Sequence, residues 1–142
     1  WTPIMLNYKI LAENNSMYNT PPCFAIYVCG LVFKYLLSIG GLETMAKMNF
    51  KKAQLLYAYL DHSKLFKGLV RPADRSLMNV TFKTPTEEMD DKFVKEAKAE
   101  GIDNLKGQRS LGGLRASIYN SMPFEGVAAL VDFMKRFEAA NL

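Results

Sequence analysis

Leu77-Met78-Asn79-Val80-Thr81-Phe82-Lys83-Thr84-Pro85-Thr86-Glu87 is the stretch that decides the fold. Met78, Val80 and Phe82 alternate with Asn79 and Thr81, which predicts a half-buried strand. Thr84 and Glu87 stand at capping-box spacing, and Pro85 suits a first helical position, so a helix is expected directly after the strand. That helix turns Met89, Phe93, Val94 and Ala97 inward and ends at Gly101, a C-cap glycine. Its charge run from Glu87 to Lys95 is then a solvated face. Ile102 to Lys106 reads as a short strand and Leu114 to Ile118 as another, paired back on it. A last helix follows Met122-Pro123 and runs to about Ala140, with Val127, Leu130, Val131, Met134 and Phe137 at helical spacing. From Leu77 onward the plan is strand, helix, strand, strand, helix. This is an α+β fold with helices packed on one face of a small, mostly antiparallel sheet.

Upstream, Leu42 to about Leu60 predicts an amphipathic helix. Leu42, Met45, Ala46, Ala53, Leu56 and Leu60 form its apolar stripe, and Glu43, Lys47, Lys51 and Gln54 its polar one. Gly68 and Pro72 break the chain between His62 and Arg75. Cys23 to Leu37 is the most apolar run. It is too short for a membrane span of about 20 residues and is interrupted by Lys34, so burial in a core or a subunit interface is expected. Asn19 or Thr20 is placed to cap this helix, with Pro21 and Pro22 in its first turn. Two prolines also remove two amide donors, so an anion held at this helix start depends on the side chains of Asn19 and Thr20. Capping alone and anion binding both fit these residues. Tyr8 to Ser16 reads as a polar loop.

Composition narrows the classes of function. With 142 residues, 49% of them apolar, the chain can bury an ordinary core. Its net charge of +4 is modest and the basic residues are interleaved with acidic ones, which argues against a nucleic-acid or membrane surface. Cys23 and Cys29 lack metal or redox spacing and read as buried thiols of a reducing compartment, with a cytoplasmic location expected. One histidine, His62, leaves no multi-histidine metal site and no Ser/His/Asp set. His62 reads as a surface residue at a helix end.

The chemistry concentrates between Lys106 and Asn120, where Arg109 and Arg115 sit among Gly107, Gly112 and Gly113. Glycines allow positive φ and close backbone approach, so this loop can fold back and aim two guanidinium groups at one small volume. Each guanidinium matches a carboxylate or phosphate bidentately. A pocket for a substrate with two anionic ends and a plain glycine-rich turn with two solvated arginines are the two readings these residues allow.

Asn-Ser-Met-Tyr-Asn-Thr-Pro-Pro at 15 to 22 and Lys-Gly-Gln-Arg-Ser-Leu-Gly-Gly-Leu-Arg-Ala-Ser-Ile-Tyr-Asn-Ser-Met-Pro at 106 to 123 closely resemble the phosphoserine aminotransferases. The likeness extends through Gly30-Leu31-Val32-Phe33-Lys34, Arg75-Ser76, Met78-Asn79-Val80, Glu125-Gly126-Val127 and Leu130-Val131-Asp132-Phe133-Met134, in colinear order over nearly the whole chain. The resemblance implies the carboxy-terminal part of a pyridoxal 5′-phosphate (PLP) enzyme of the aspartate-aminotransferase architecture, PLP fold type I. Residues 1–40 would close the large PLP-binding domain and connecting helix, and 41–142 would form the small α+β domain. It implies amino-group exchange between O-phospho-L-serine plus 2-oxoglutarate and 3-phosphooxypyruvate plus glutamate, in L-serine biosynthesis, by a homodimer with shared active sites.

By that likeness Arg115 grips the α-carboxylate, and Arg109 the phosphate of phosphoserine or the side-chain carboxylate of glutamate. Asn19 and Thr20 bind the cofactor phosphate of the partner subunit. Gln108 replaces the family's usual histidine beside Arg109, keeping a hydrogen-bond donor and losing a chargeable group. No lysine here matches the family's Schiff-base lysine, which is expected upstream of Trp1, so the 142-residue chain alone is expected not to transaminate. The alternatives are a non-catalytic domain binding a dicarboxylate or phosphorylated metabolite, and a PLP enzyme of the same fold with another acidic substrate.

Overall fold

In a computed structural model the described residues are 1–109 and 112–142, and they form two compact units, Trp1–Gly41 and Leu42–Leu142. The first unit holds a 3₁₀ turn at Ile4–Leu6 and helices α1, Tyr8–Glu13, and α2, Cys23–Ser38. Helix α1 stands where a polar loop was expected. Asn7 caps it, its Oδ1 accepting from the Lys9 and Ile10 amides at 3.1 and 3.5 Å.

Neither Asn19 nor Thr20 caps α2. The helix begins after Pro22, and the Cys23 amide donates to the Pro21 carbonyl at 2.8 Å. A residue before proline is driven out of the helical region, so Pro21 cannot turn helical and the start is delayed past both prolines. No residue of α2 is buried, with Phe24 80% and Leu37 74% exposed. The thiols of Cys23 and Cys29, expected to be buried, are exposed with it.

In the second unit α3, Gly41–Leu60, buries Met45, Asn49, Lys52, Ala53, Leu56, Tyr57 and Leu60. Leu42 and Ala46, expected in the stripe, are exposed, while Asn49 and Lys52 lie inside it. The Lys52 ammonium and the Asn49 amide nitrogen have partners, whereas the buried Asn49 Oδ1 has none among the described residues. The Lys52 ammonium donates to the carbonyls of Tyr119 and Met122 at 2.7 and 2.8 Å, and the Asn49 amide donates to Asn120 Oδ1 at 2.8 Å. Burial pushes the Lys52 pKa down.

Strands β1, Lys67–Gly68, β2, Asn79–Lys83, and β3, Leu114–Ser117, form an antiparallel sheet in the order β1-β2-β3. The element order is therefore strand, strand, helix, strand, helix. Two residues of β1 are too few to show an alternating pattern. The expected strand at Ile102–Lys106 is reduced to one bridge, Lys106 opposite Leu114, because Asn104 takes φ +62° and turns the chain.

Helix α4, Glu87–Ala99, starts later than the capping-box spacing implied. Thr86 is extended and caps it, accepting from the Met89 amide at 3.3 Å. Thr84 is buried and gives its amide and hydroxyl hydrogens to Asp90, each at 2.8 Å. Gly101, at φ +84°, ends the helix as expected. Helix α5 spans Phe124–Asn141 and buries all five residues expected of it, with Phe133.

Val80, Phe82, Leu114 and Ala116 share one core with α3, α4 and α5. At its centre Phe93 lies 5.0 Å from Phe66, 5.1 Å from Phe137 and 5.2 Å from Phe133, ring centre to ring centre. Opposite the core, the sheet presents Asn79, Thr81 and Arg115, half-buried, and Ser117, exposed.

Candidate functional site

The glycine loop sets the site. Gly112 and Gly113 take φ of +67° and +66°, the left-handed region that favours glycine. The chain doubles back so tightly that the Gly107 amide reaches the Gly113 carbonyl at 2.9 Å and the Gly112 amide reaches the Gln108 carbonyl at 2.8 Å. A Cβ on Gly107 would collide with the carbonyl oxygens of Gly112 and Gly113, the latter at 2.7 Å. Residues 110 and 111 of this loop lie outside the described residues.

Arg115 follows the loop on β3. Its amide donates to the Leu105 carbonyl at 2.8 Å and it pairs with Thr81 across the sheet. Period-two alternation buries Leu114 and Ala116 and sends Arg115 to the other face. There it lines a cleft of about 300 Å³ with Leu69, Val70, Thr81 and Gln108. Arg109 lines a second cleft, about 500 Å³, whose walls include Glu87, Asp91, Lys106 and Gln108. The two arginines line different clefts, which have Gly107, Gln108, Gly112 and Leu114 in common. They flank the doubled loop, and Gln108 borders both clefts.

Charge pairing separates these two arginines from the rest. The chain has five arginines. Arg71 pairs with Asp74, Arg75 with Asp61 and Arg136 with Glu100. Among the described residues Arg109 and Arg115 have no carboxylate partner, and the buried Nε of Arg115 has no hydrogen-bond partner. A half-buried guanidinium with its hydrogen-bonding capacity open fits an incoming carboxylate or phosphate. Arg75 shares the partnerless buried Nε but differs in its charge pairing: Asp61 holds its two terminal nitrogens in a fork, one arm at 2.8 Å, and it stacks on the Tyr57 ring at 4.4 Å. The Arg75 fork in turn holds the Asp61 carboxyl below its usual pKa.

Asn19 and Thr20 belong to the first unit. Both are exposed, and the only partner of the Asn19 amide among the described residues is the Met5 sulfur at 3.2 Å. Leu69, Val70 and Thr81, which complete the Arg115 cleft, were not singled out from the sequence. The alternation of β2 places Thr81 on the outer face, but the strand partner that brings it opposite Arg115 has no local signal. Among the described residues no group of three or more His, Cys, Asp or Glu is placed to hold a metal ion, and no single helix is long and apolar enough to cross a membrane.

The chain matches the class-V aminotransferases over residues 2–130. It is 57% identical over 140 residues to the phosphoserine aminotransferase of Histophilus somni, covering 99% of this chain and 39% of that protein. The solved phosphoserine aminotransferase from Bacillus circulans subsp. alkalophilus superposes with a TM-score of 0.92 at 46% identity, covering 99% of this chain and 39% of the other. The PLP-bound phosphoserine aminotransferase from Trichomonas vaginalis gives 0.86 at 41% identity, over 95% of this chain and 39% of that one. The chain thus spans about two fifths of the length of these relatives. With the match covering most of its residues, this chain belongs to the class-V aminotransferase family, and its fold is that of the small α+β part of PLP fold type I enzymes.

Proposed function

We propose that this chain is the carboxy-terminal part of a phosphoserine aminotransferase, which exchanges an amino group between O-phospho-L-serine plus 2-oxoglutarate and 3-phosphooxypyruvate plus glutamate in L-serine biosynthesis. The observation that carries the reading is the pair of arginines with no carboxylate partner among the described residues, around a glycine loop, in a chain 57% identical to an enzyme of that name. Residues 1–40 then close the large domain and 41–142 form the small one. Arg115 grips the α-carboxylate common to both amino acids, and Arg109 takes the phosphate of phosphoserine or the distal carboxylate of glutamate. Gln108, bordering both clefts, donates a neutral hydrogen bond to the same ligand.

The donor chemistry at Asn19 and Thr20, an amide held among the described residues only by a thioether sulfur and an exposed hydroxyl, fits a phosphate. In this reading they hold the PLP phosphate of the partner subunit, in a cytoplasmic homodimer. When bound, PLP supplies the electron sink for amino-group exchange. The arginines of this chain bind and orient the substrate and shield its anionic ends from water.

The full-length protein should form glutamate from phosphoserine and 2-oxoglutarate. Truncating one member of a buried charge pair costs a few kcal/mol, so Arg115→Ala should lower kcat/KM by about a hundredfold or more. Failure of the unsubstituted enzyme to use phosphoserine, or full activity after Arg115→Ala, would refute the proposal.

A further inference from the structure

Strand β3 is a poor platform for a binding residue. It has four residues, Leu114–Ser117, lies last in the sheet order, and among the described residues is held on its outer side only near its start, by the Lys106–Leu114 bridge and the Arg115 amide on the Leu105 carbonyl, the rest of it pairing with β2 alone. A shift of one residue in its pairing would turn Arg115 into the core and Ala116 out. Among the described residues no ion pair holds the Arg115 guanidinium, so its direction depends on the register of this strand. At the leading end, the register is fixed by the doubled glycine loop and the Lys106–Leu114 bridge.

The trailing end is fixed by side chains. Asn79 stands directly opposite Ser117, and its carboxamide is used in both directions. Asn79 Oδ1 accepts from the Ser117 hydroxyl at 3.0 Å, and Asn79 Nδ2 donates to the Tyr119 hydroxyl at 2.7 Å. The Ile118 amide continues the ladder to the Met78 carbonyl at 2.8 Å. Behind this clasp, the buried Lys52 ammonium holds the carbonyls of Tyr119 and Met122. An alternative register would separate Asn79 from both hydroxyls.

We propose that Asn79 is a positioning residue: by clasping Ser117 and Tyr119 it locks the register of β3 and so aims Arg115 at the substrate carboxylate. The inference rests on the role proposed above for Arg115. The α-carboxylate is common to phosphoserine and glutamate, so a misdirected Arg115 weakens both equally.

The test is a double-mutant cycle in the full-length enzyme. Asn79→Ala should raise KM for phosphoserine and for glutamate by the same factor, about tenfold for the loss of two hydrogen bonds, with a smaller change in kcat. In an Arg115→Lys background, where the fork is already gone, Asn79→Ala should change KM less than about twofold. The same factor in both backgrounds, or a KM rise for one substrate only, would overturn the inference while leaving the functional reading intact. Absence of phosphoserine turnover by the unsubstituted enzyme would remove both. Tyr119→Phe deletes one hydroxyl from a half-exposed ring and serves if Asn79→Ala does not fold. It should raise both KM values about threefold, and unchanged values would count against the clasp.

Discussion

Gly107 is the residue at which the loop is least negotiable. Its amide closes the loop on Gly113, and the space a side chain would need is filled by backbone carbonyls, which cannot swing aside as a flexible side chain can. Gly107→Ala should therefore cost about 1–3 kcal/mol in urea unfolding, and, if Arg109 and Arg115 act as proposed, it should also raise the full-length enzyme's KM for phosphoserine, because both arginines adjoin the displaced backbone. Gly112 differs: a Cβ there meets open space, so Gly112→Ala should cost only the strain of a left-handed backbone, about 1 kcal/mol. The need for glycine at these positions was legible in the sequence, because doubling a loop back is a backbone requirement. The clasp at Asn79 was not. An alternating strand tells which face a residue occupies and nothing about which strand lies beside it.

Among the elements, the ends of α3 and α5 are joined through Glu138. One of its oxygens accepts from the hydroxyls of Tyr59 and of Ser63, the latter at 2.8 Å, and the other from the Lys64 amide at 2.7 Å. Burial pushes the Glu138 pKa up, but these donors together outweigh it and hold the group below its ordinary value. Burial, and then the neighbouring carboxylate, push the Tyr59 hydroxyl well above its own. A carboxylate with a depressed folded-state pKa stabilises the fold above its unfolded value, about 4.3, and loses that contribution as pH falls through the folded one. Glu138→Gln should thus destabilise the second unit by about 1 kcal/mol at pH 7, with the difference from the unsubstituted chain shrinking as pH drops below about 4. Thermal unfolding at pH 7 and pH 3 checks it, and an equal difference at both values would exclude this origin. Helix-period patterns predicted α3, α4 and α5 within a few residues, since a long amphipathic stripe repeats its own evidence. The start of α4 was misplaced because the buried Asp90 claims Thr84, and that of α2 because two prolines delay it.

At the scale of the whole chain, the outstanding feature is α2. Phe24, Tyr27, Leu31, Phe33, Tyr35 and Leu37 are all exposed, on a helix with no buried residue. Such a surface exceeds what monomeric proteins ordinarily leave in water. The purified 142-residue chain should self-associate. Light scattering should show Phe24→Glu with Leu31→Glu shifting it toward monomer, without affecting the unfolding midpoint of the second unit. The sequence marked this helix as one that needs cover, because an apolar run of that length has no solvated face.

The sheet also carries an order of assembly. Strands β1 and β2 close across a short connection, whereas β3 reaches β2 only after the chain has spanned all of α4 and the turn beyond it. Loop closure grows costlier with length, and non-local pairings slow folding. By that measure the β1–β2 pairing is expected to form before β3 pairs with β2. If Arg115 has the role proposed for it, the residue that meets the substrate is placed only once β3 has paired with β2, so a chain whose helices have formed would still be blind to its ligand.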